Sequence, residues 1–274
     1  MNSLAGRPSI GVFDSGFGGL TVLKELVALN PDADYLYFGD TARLPYGSKS
    51  VETVARYAVE ATRFLEGQGA NLLVIACNTA TALALDRITG AAQVPVVGVV
   101  EPGAEQASAA SKNRRVVVIG TEATVSSHAY LKALEARSVA AREKACPLFV
   151  PLVEEGWVEH AVTEQVARIY LGEAFADGFH DADVLVLGCT HYPLIQSLLR
   201  RVAPAHVSIV DSAHSTARVV ARQIEDLAGN SSTQPSAPTG LRFFATDSVE
   251  KFRRLGPRFL GHPVEFVEHV DLKE

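Results

Sequence analysis

The sequence predicts an α/β fold of two pseudo-symmetric parallel-sheet halves with a cleft between them, and three observations carry that prediction. Short runs rich in Val, Ile and Leu recur at 10–13, 35–38, 72–76, 94–100, 116–119, 148–152, 184–187 and 207–210. Continuous apolar strands of this length suit parallel sheets covered by helices on both faces. Amphipathic stretches at 20–29, 51–66, 128–136, 157–175 and 215–227 alternate with them, which marks an α/β chain. The pattern also repeats. Cys77 ends one apolar strand and Cys189 another, Phe13-Asp14-Ser15 has a counterpart in Ile119-Gly120-Thr121, and 35–47 has a looser one in 146–156.

Halves of about a hundred residues each fit the usual domain size. The boundaries expected are 1–100 with 210–274 for the first domain and 101–209 for the second. The polar, Pro-bearing stretch 229–240 buries too little apolar surface to order itself and is expected as a surface loop or linker. Strand-like runs at 241–246 and 264–267 then return the chain to a sheet.

Composition narrows the functional classes. The 274 residues are 47% hydrophobic and 20% charged, with a net charge of −6, and no segment concentrates Lys or Arg. An electrostatic grip on nucleic acid or anionic lipid is therefore not expected. The longest apolar runs, at 72–77 and 94–100, fall far short of the ~20 residues of a membrane helix. The first nine residues lack the apolar core of a signal peptide, so the chain is expected in the cytoplasm. There, three cysteines are more readily core residues, metal ligands or catalytic groups than disulfides.

Cys77 and Cys189 each sit where a buried strand gives way to a helix. Asn78 or Thr79 is placed to cap the first helix, Thr190 to Tyr192 lie near the cap of the second, and Pro193 suits its first turn. Ligands of open α/β sheets bind at this end of the strands, and a helix N-terminus favours thiolate over thiol. Both thiols are thus expected in activating positions. Cys146, before Pro147 and without polar companions, reads as core.

Asp14-Ser15-Gly16-Phe17-Gly18-Gly19 is a Gly-rich turn into a helix, suited to an anion. It lacks the spacing of a dinucleotide fingerprint and the Lys of a P-loop. Asp14 adds a negative charge that suits an ammonium group, so an amino acid fits better than a nucleotide. Thr121 occupies a place like that of Ser15, and Tyr46 and Gly47 fall in a Gly- and Pro-containing loop. Glu154 reads either as a helix-capping acid or as part of the site, and His191 as a packed residue or a partner for Cys189.

No metal is expected, because Cys77, Cys189 and His191 lack ligand spacing. No cofactor is expected either. A pyridoxal enzyme needs a Schiff-base lysine, and Lys24, Lys49, Lys112, Lys132, Lys144, Lys251 and Lys273 fall mostly in polar or helical-surface contexts. Two thiols facing each other across a cleft can remove a proton from one face of a carbon and return one to the other, inverting a stereocentre. Hydroxyls and amides from Ser15, Asn78, Thr79, Thr121 and Thr190 would ease the developing charge. A reversible redox pair and a non-catalytic amino-acid binder are the readings of other classes.

The motifs Asp14-Ser15-Gly16-Phe17-Gly18-Gly19-Leu20, Pro45-Tyr46-Gly47, Ala76-Cys77-Asn78-Thr79-Ala80-Thr81, Glu101-Pro102-Gly103, Gly120-Thr121-Glu122-Ala123-Thr124 and Gly188-Cys189-Thr190-His191-Tyr192-Pro193-Leu194 occur in order. Together, over about 9–225, the chain resembles the glutamate racemases of the aspartate/glutamate racemase superfamily. The resemblance implies cofactor-independent interconversion of L- and D-glutamate for peptidoglycan, and a homodimer. It implies that Cys77 deprotonates D-glutamate and Cys189 L-glutamate, that Asp14, Ser15, Tyr46, Gly47, Asn78, Thr79, Thr121, Thr190 and His191 contact the substrate, and that Glu154 is an auxiliary acid. A racemase of another acidic amino acid, such as aspartate, is the alternative.

Overall fold

The computed structural model describes residues 7–228 and 240–272. The described residues form ten strands: β1 (Ser9–Asp14), β2 (Asp34–Gly39), β3 (Leu72–Ile75), β4 (Val96–Gly98), β5 (Arg115–Gly120), β6 (Ala140–Ala145), β7 (Val184–Gly188), β8 (Ser208–Asp211), β9 (Leu241–Ala245) and β10 (Glu268–His269). Helices α1 (Leu20–Leu29), α2 (Val51–Gly67), α3 (Asn78–Ala91), α4 (Val100–Ala110), α5 (Glu122–Ser127) and α6 (Ala129–Glu135) are followed by α7 (Phe149–Glu154), α8 (Ala161–Ala174), α9 (Gln196–Val202), α10 (Ser212–Ala228) and α11 (Val249–Leu260).

The strands form two sheets, β10-β9-β2-β1-β3-β4 and β6-β5-β7-β8, and every pairing is parallel. The order β2-β1-β3-β4 recurs as β6-β5-β7-β8, so the repetition read from the sequence is a repetition of topology. Strand order reverses beside β1 in one sheet and β5 in the other. Outside the carboxyl ends of the strands, that reversal opens the crevice in which such sheets hold ligands. β1, β3, β5 and β7 are buried almost throughout, as strands covered by helices on both faces must be.

The structure corrects several expectations. The run 148–152 is not a strand: Phe149 and Val153, one helical turn apart, are the buried residues of α7, and Pro151 falls early enough in the helix to be tolerated. The strand beside β5 is instead β6, Ala-Ala-Arg-Glu-Lys-Ala, a polar edge of the kind that discourages sheet-to-sheet association. Cys146 therefore follows β6. It is fully buried, as a core residue should be.

The run 264–267 is likewise no strand. Val264 and Val267, three residues apart, cap the core, and the short β10 follows them. At 94–100 only Val96–Gly98 is strand, because Val100 already opens α4; the helix expected over 157–175 starts at Ala161. Of the loop expected at 229–240, residues 229–239 lie outside the described residues. Gly240 donates its amide to Asp34 Oδ1 at 2.9 Å. Among the described residues no helix is long and apolar enough to cross a membrane.

Candidate active site

A cavity of about 440 Å³ opens at the carboxyl ends of both sheets. Ser15, Tyr46, Gly47, Cys77, Asn78, Thr79, Thr121, Glu154, Cys189, Thr190 and His191 all line it. Equivalent positions of the two repeats therefore converge: Ser15 and Thr121 follow β1 and β5, and Cys77 and Cys189 follow β3 and β7.

Cys77 is itself the cap of α3, in place of the expected Asn78 or Thr79. Its sulfur accepts from the Ala80 amide at 3.4 Å, and its thiol donates to Ser15 Oγ at 3.5 Å. The cap leaves Asn78 and Thr79 facing the other sheet. Asn78 Oδ1 accepts from Tyr130 Oη at 2.7 Å, while its Nδ2 is buried without a partner. Thr79 Oγ1 lies 3.0 Å from Thr121 Oγ1, and Thr121 Oγ1 lies 2.9 Å from Thr124 Oγ1. A chain of hydroxyls thus joins α3 to α5 across the cavity floor, and each can donate or accept.

The helix end at Cys77 does not lower its thiol. Burial, followed by the charge of Asp14, outweighs the bonds from Ser15 and Ala80 and pushes the group up to about 12. Asp14 does not line the cavity. It lies buried behind Ser15, with Oδ2 accepting from the Gly16 amide at 2.9 Å and Oδ1 unpartnered. Burial raises its carboxyl, against the charge of His191 and the amides of Gly16, Gly19 and Ser15.

Cys189 has different neighbours. A 3-10 turn, Tyr192–Ile195, follows it before α9, with Pro193 in the first turn as expected. His191 Nδ1 lies 4.0 Å from the sulfur, and His191 Nε2 lies 3.3 Å from Glu154 Oε1 at the end of α7. Burial disfavours the charged ring, but contacts with Cys189 and Glu154 outweigh it and lift His191 to about 10. Burial also opposes the Glu154 anion, yet His191 and Lys251 hold its carboxyl below the ordinary value.

The raised His191 value has a consequence for stability. The folded protein keeps a proton that the unfolded chain releases near 6.5, so this stabilisation is whole below that pH and is lost as pH rises through about 10. His191→Asn is therefore expected to flatten the fall in Tm between these limits. If the variant shows the same decline as the wild type, the His191 proton makes no such contribution.

Tyr46 reaches the site from a 3-10 turn, Tyr46–Ser48, and its hydroxyl donates to Asp40. Asp40 is in turn paired with Arg43 at 2.8 Å. Gly47 packs on Thr121, where a Cβ would come within 3.1 Å of Thr121 Cβ. Sequence reasoning missed Lys251, which it placed among surface lysines. Its Nζ lies in the cavity wall, 2.9 Å from Glu154 Oε2. The discernible signal was its position at the start of the amphipathic α11, next to the buried Phe252. Among the described residues no three His, Cys, Asp or Glu side chains converge as a metal site.

The fold has close counterparts among amino-acid racemases. The sequence model of Asp/Glu/Hydantoin racemase matches residues 10–220. The chain belongs to that family, and its relatives identify its branch. It is 62% identical to the glutamate racemase of Koribacter versatilis, over 97% of this chain and 98% of the relative. Among solved structures, the glutamate racemase of Francisella tularensis, in complex with D-glutamate, superposes with a TM-score of 0.88 at 35% identity, covering 97% of this chain and 98% of that one. The Thermus thermophilus glutamate racemase gives 0.86 at 46% identity, with the same coverage.

Proposed function

We propose that the chain is a glutamate racemase that interconverts L- and D-glutamate without a cofactor, using Cys77 and Cys189 as its two acid–base groups. The observation that carries this reading is that both thiols, from equivalent strand ends of the two repeats, line one cavity among hydroxyl and amide groups. The family membership and the glutamate racemase relatives support it.

In this reading the chain divides into two domains, 1–100 with 210–274 and 101–209, and the amino acid lies between them. Cys189 removes the α-proton of L-glutamate while the Cys77 thiol delivers one to the opposite face. Burial and Asp14 keep Cys77 protonated for that step. Turnover leaves Cys77 as thiolate and Cys189 as thiol, the state that accepts D-glutamate. His191 lies beside the Cys189 sulfur, and Glu154 lies against the far side of that ring.

Ser15, Asn78, Thr79, Thr121 and Thr190 supply donors to the substrate carboxylates, so that negative charge developing in the transition state meets prepositioned dipoles. The Asn78 amide, buried and unpartnered, is the donor freest to do so. Tyr46 and Gly47 shape the wall opposite. D-glutamate made this way would serve peptidoglycan synthesis in the cytoplasm. The same reading has two copies of the chain forming a homodimer, which sedimentation velocity measures.

The test is incubation with L-glutamate in D₂O with no added cofactor. Deuterium entering Cα, read by NMR, together with ellipticity decaying to zero, is the expected result. Exchange with aspartate and none with glutamate would move the substrate assignment to the other acidic amino acid. No exchange with either would overturn the reading.

A further inference from the structure

We propose that Lys251 is a positioning residue for the Cys189 half-reaction: its ammonium fixes the Glu154 carboxylate, which in turn fixes His191 beside Cys189. The inference rests on the two-thiol reading above and extends it to a residue beyond the 10–220 segment that the family model matches.

The geometry is a continuous chain. Lys251 Nζ lies 2.9 Å from Glu154 Oε2, Glu154 Oε1 lies 3.3 Å from His191 Nε2, and His191 Nδ1 lies 4.0 Å from Cys189 Sγ. Each oxygen of the carboxylate has one cationic partner. Without the ammonium, only the imidazole would restrain it, and the carboxylate could turn about its terminal bond. Glu154 is also the last residue of α7, where the negative end of the helix dipole disfavours a carboxylate. A second cation offsets that.

Lys251 is held in turn. Its neighbour Phe252 is fully buried and meets Phe17 edge-on at 6.2 Å, and its Nζ lies 5.3 Å from the centre of the Phe17 ring. Phe17 packs against His191 as well. The ammonium and the imidazole therefore share one aromatic support and one carboxylate.

The titratable groups facing His191 are Asp14 from the end of β1, Cys189 beyond β7 and Glu154 from α7, with Lys251 of α11 across Glu154. Glu122, at the start of α5, lines the same cavity, and the Arg258 guanidinium lies against Gly156 just past α7. Among the described residues, Lys251 is the cation paired with Glu154 besides His191. Removing it lets the Glu154 carboxyl rise, so its anion is lost at a higher pH.

Racemisation has an equilibrium constant of one, so any variant must lower kcat/KM equally in both directions. The half-reaction affected is instead read from isotope effects on kcat/KM. Cα-deuterated L-glutamate reports proton transfer to Cys189, and Cα-deuterated D-glutamate reports transfer to Cys77. Lys251→Met is expected to lower kcat/KM on the order of ten-fold, to raise the isotope effect for the L-substrate relative to the D-substrate, and to move the acid limb of the pH profile upward.

Lys251→Arg, which keeps the charge, is expected to restore all three. If Lys251→Met does not fold, as judged by near-UV circular dichroism, Lys251→Gln takes its place in the same measurements. An unchanged ratio of isotope effects together with an unmoved acid limb overturns the inference. Wild-type protein that fails to racemise glutamate overturns the functional reading instead.

Discussion

Alanine at Cys77 or at Cys189 is expected to lower racemisation at least a thousand-fold and leave a folded protein. General acid–base groups contribute roughly 10²–10⁴ in rate, and the proposed chemistry has one such group on each face of the substrate. The structural cost is small by comparison. Both thiols are nearly buried, at 5% and 6% exposed, but alanine removes a single heavy atom from each. At Cys77 the helix cap is lost as well, at a cost of about 1 kcal/mol.

Cys77→Ser separates the two effects. A serine hydroxyl caps α3 at least as well as the thiol, yet it is far too weak an acid for the proton transfer. Folding measured by Tm should therefore recover in Cys77→Ser while activity does not. Near-normal turnover, followed by circular dichroism, in any of these variants would refute the two-base account.

The second large effect is expected at Gly18. A Cβ there would overlap Thr190 Oγ1 and come within 2.5 Å of His191 Nδ1. Gly18 lies in the turn between β1 and α1, and Thr190 and His191 lie just beyond β7, so the missing methyl is what lets the two sheets meet at the cavity. Thr21, in the first turn of α1, donates its hydroxyl to the Thr190 carbonyl at 3.2 Å, which leaves the loop little room to retreat.

Gly18→Ala should therefore push His191 away from Cys189. A displacement of about 1 Å at a reacting group can cost on the order of 100-fold in rate, and that is the expected loss in kcat/KM. Overpacking should cost about 1–3 kcal/mol in stability. Gly90→Ala is the control: it lies in α3 with nothing within 4 Å of its Cβ, where alanine should raise Tm slightly. Unaltered turnover in Gly18→Ala would show that the two loops move apart freely.

The sequence made some of this legible for identifiable reasons. β1, β3, β5 and β7 were readable because strands buried on both faces must be continuously apolar, and both thiols because each ends such a strand. β6 escaped because an edge strand can be polar, and its pairing with β5 supplies what local propensity does not. α7 escaped because its apolar run is short enough to pass for a strand, and only the burial of Phe149 and Val153 one turn apart separates the two readings.

The environments of the site residues were harder still to read. The sequence placed Cys77 at a helix N-terminus but could not weigh that against burial and the charge of Asp14. It grouped Lys251 with lysines in polar or helical-surface contexts and could not show which side chain lay across from it. In both cases the deciding partner is distant in the chain: Asp14 for Cys77, and Glu154 for Lys251.

The repeated strand order has a geometric consequence. Two copies of one fold are related by a rotation, whereas L- and D-glutamate are related by a reflection, and no rotation accomplishes a reflection. Identical halves could not present matched chemistry to both enantiomers. In the two-thiol reading, duplication supplies the two acid–base groups, and surroundings matched to both enantiomers require the halves to diverge. Where one repeat has Asp14 at the end of its first strand, the other has Gly120. Where one has Thr79 two residues beyond its cysteine, the other has His191. The departures from symmetry are where an achiral operation, the exchange of left for right, is built from chiral parts.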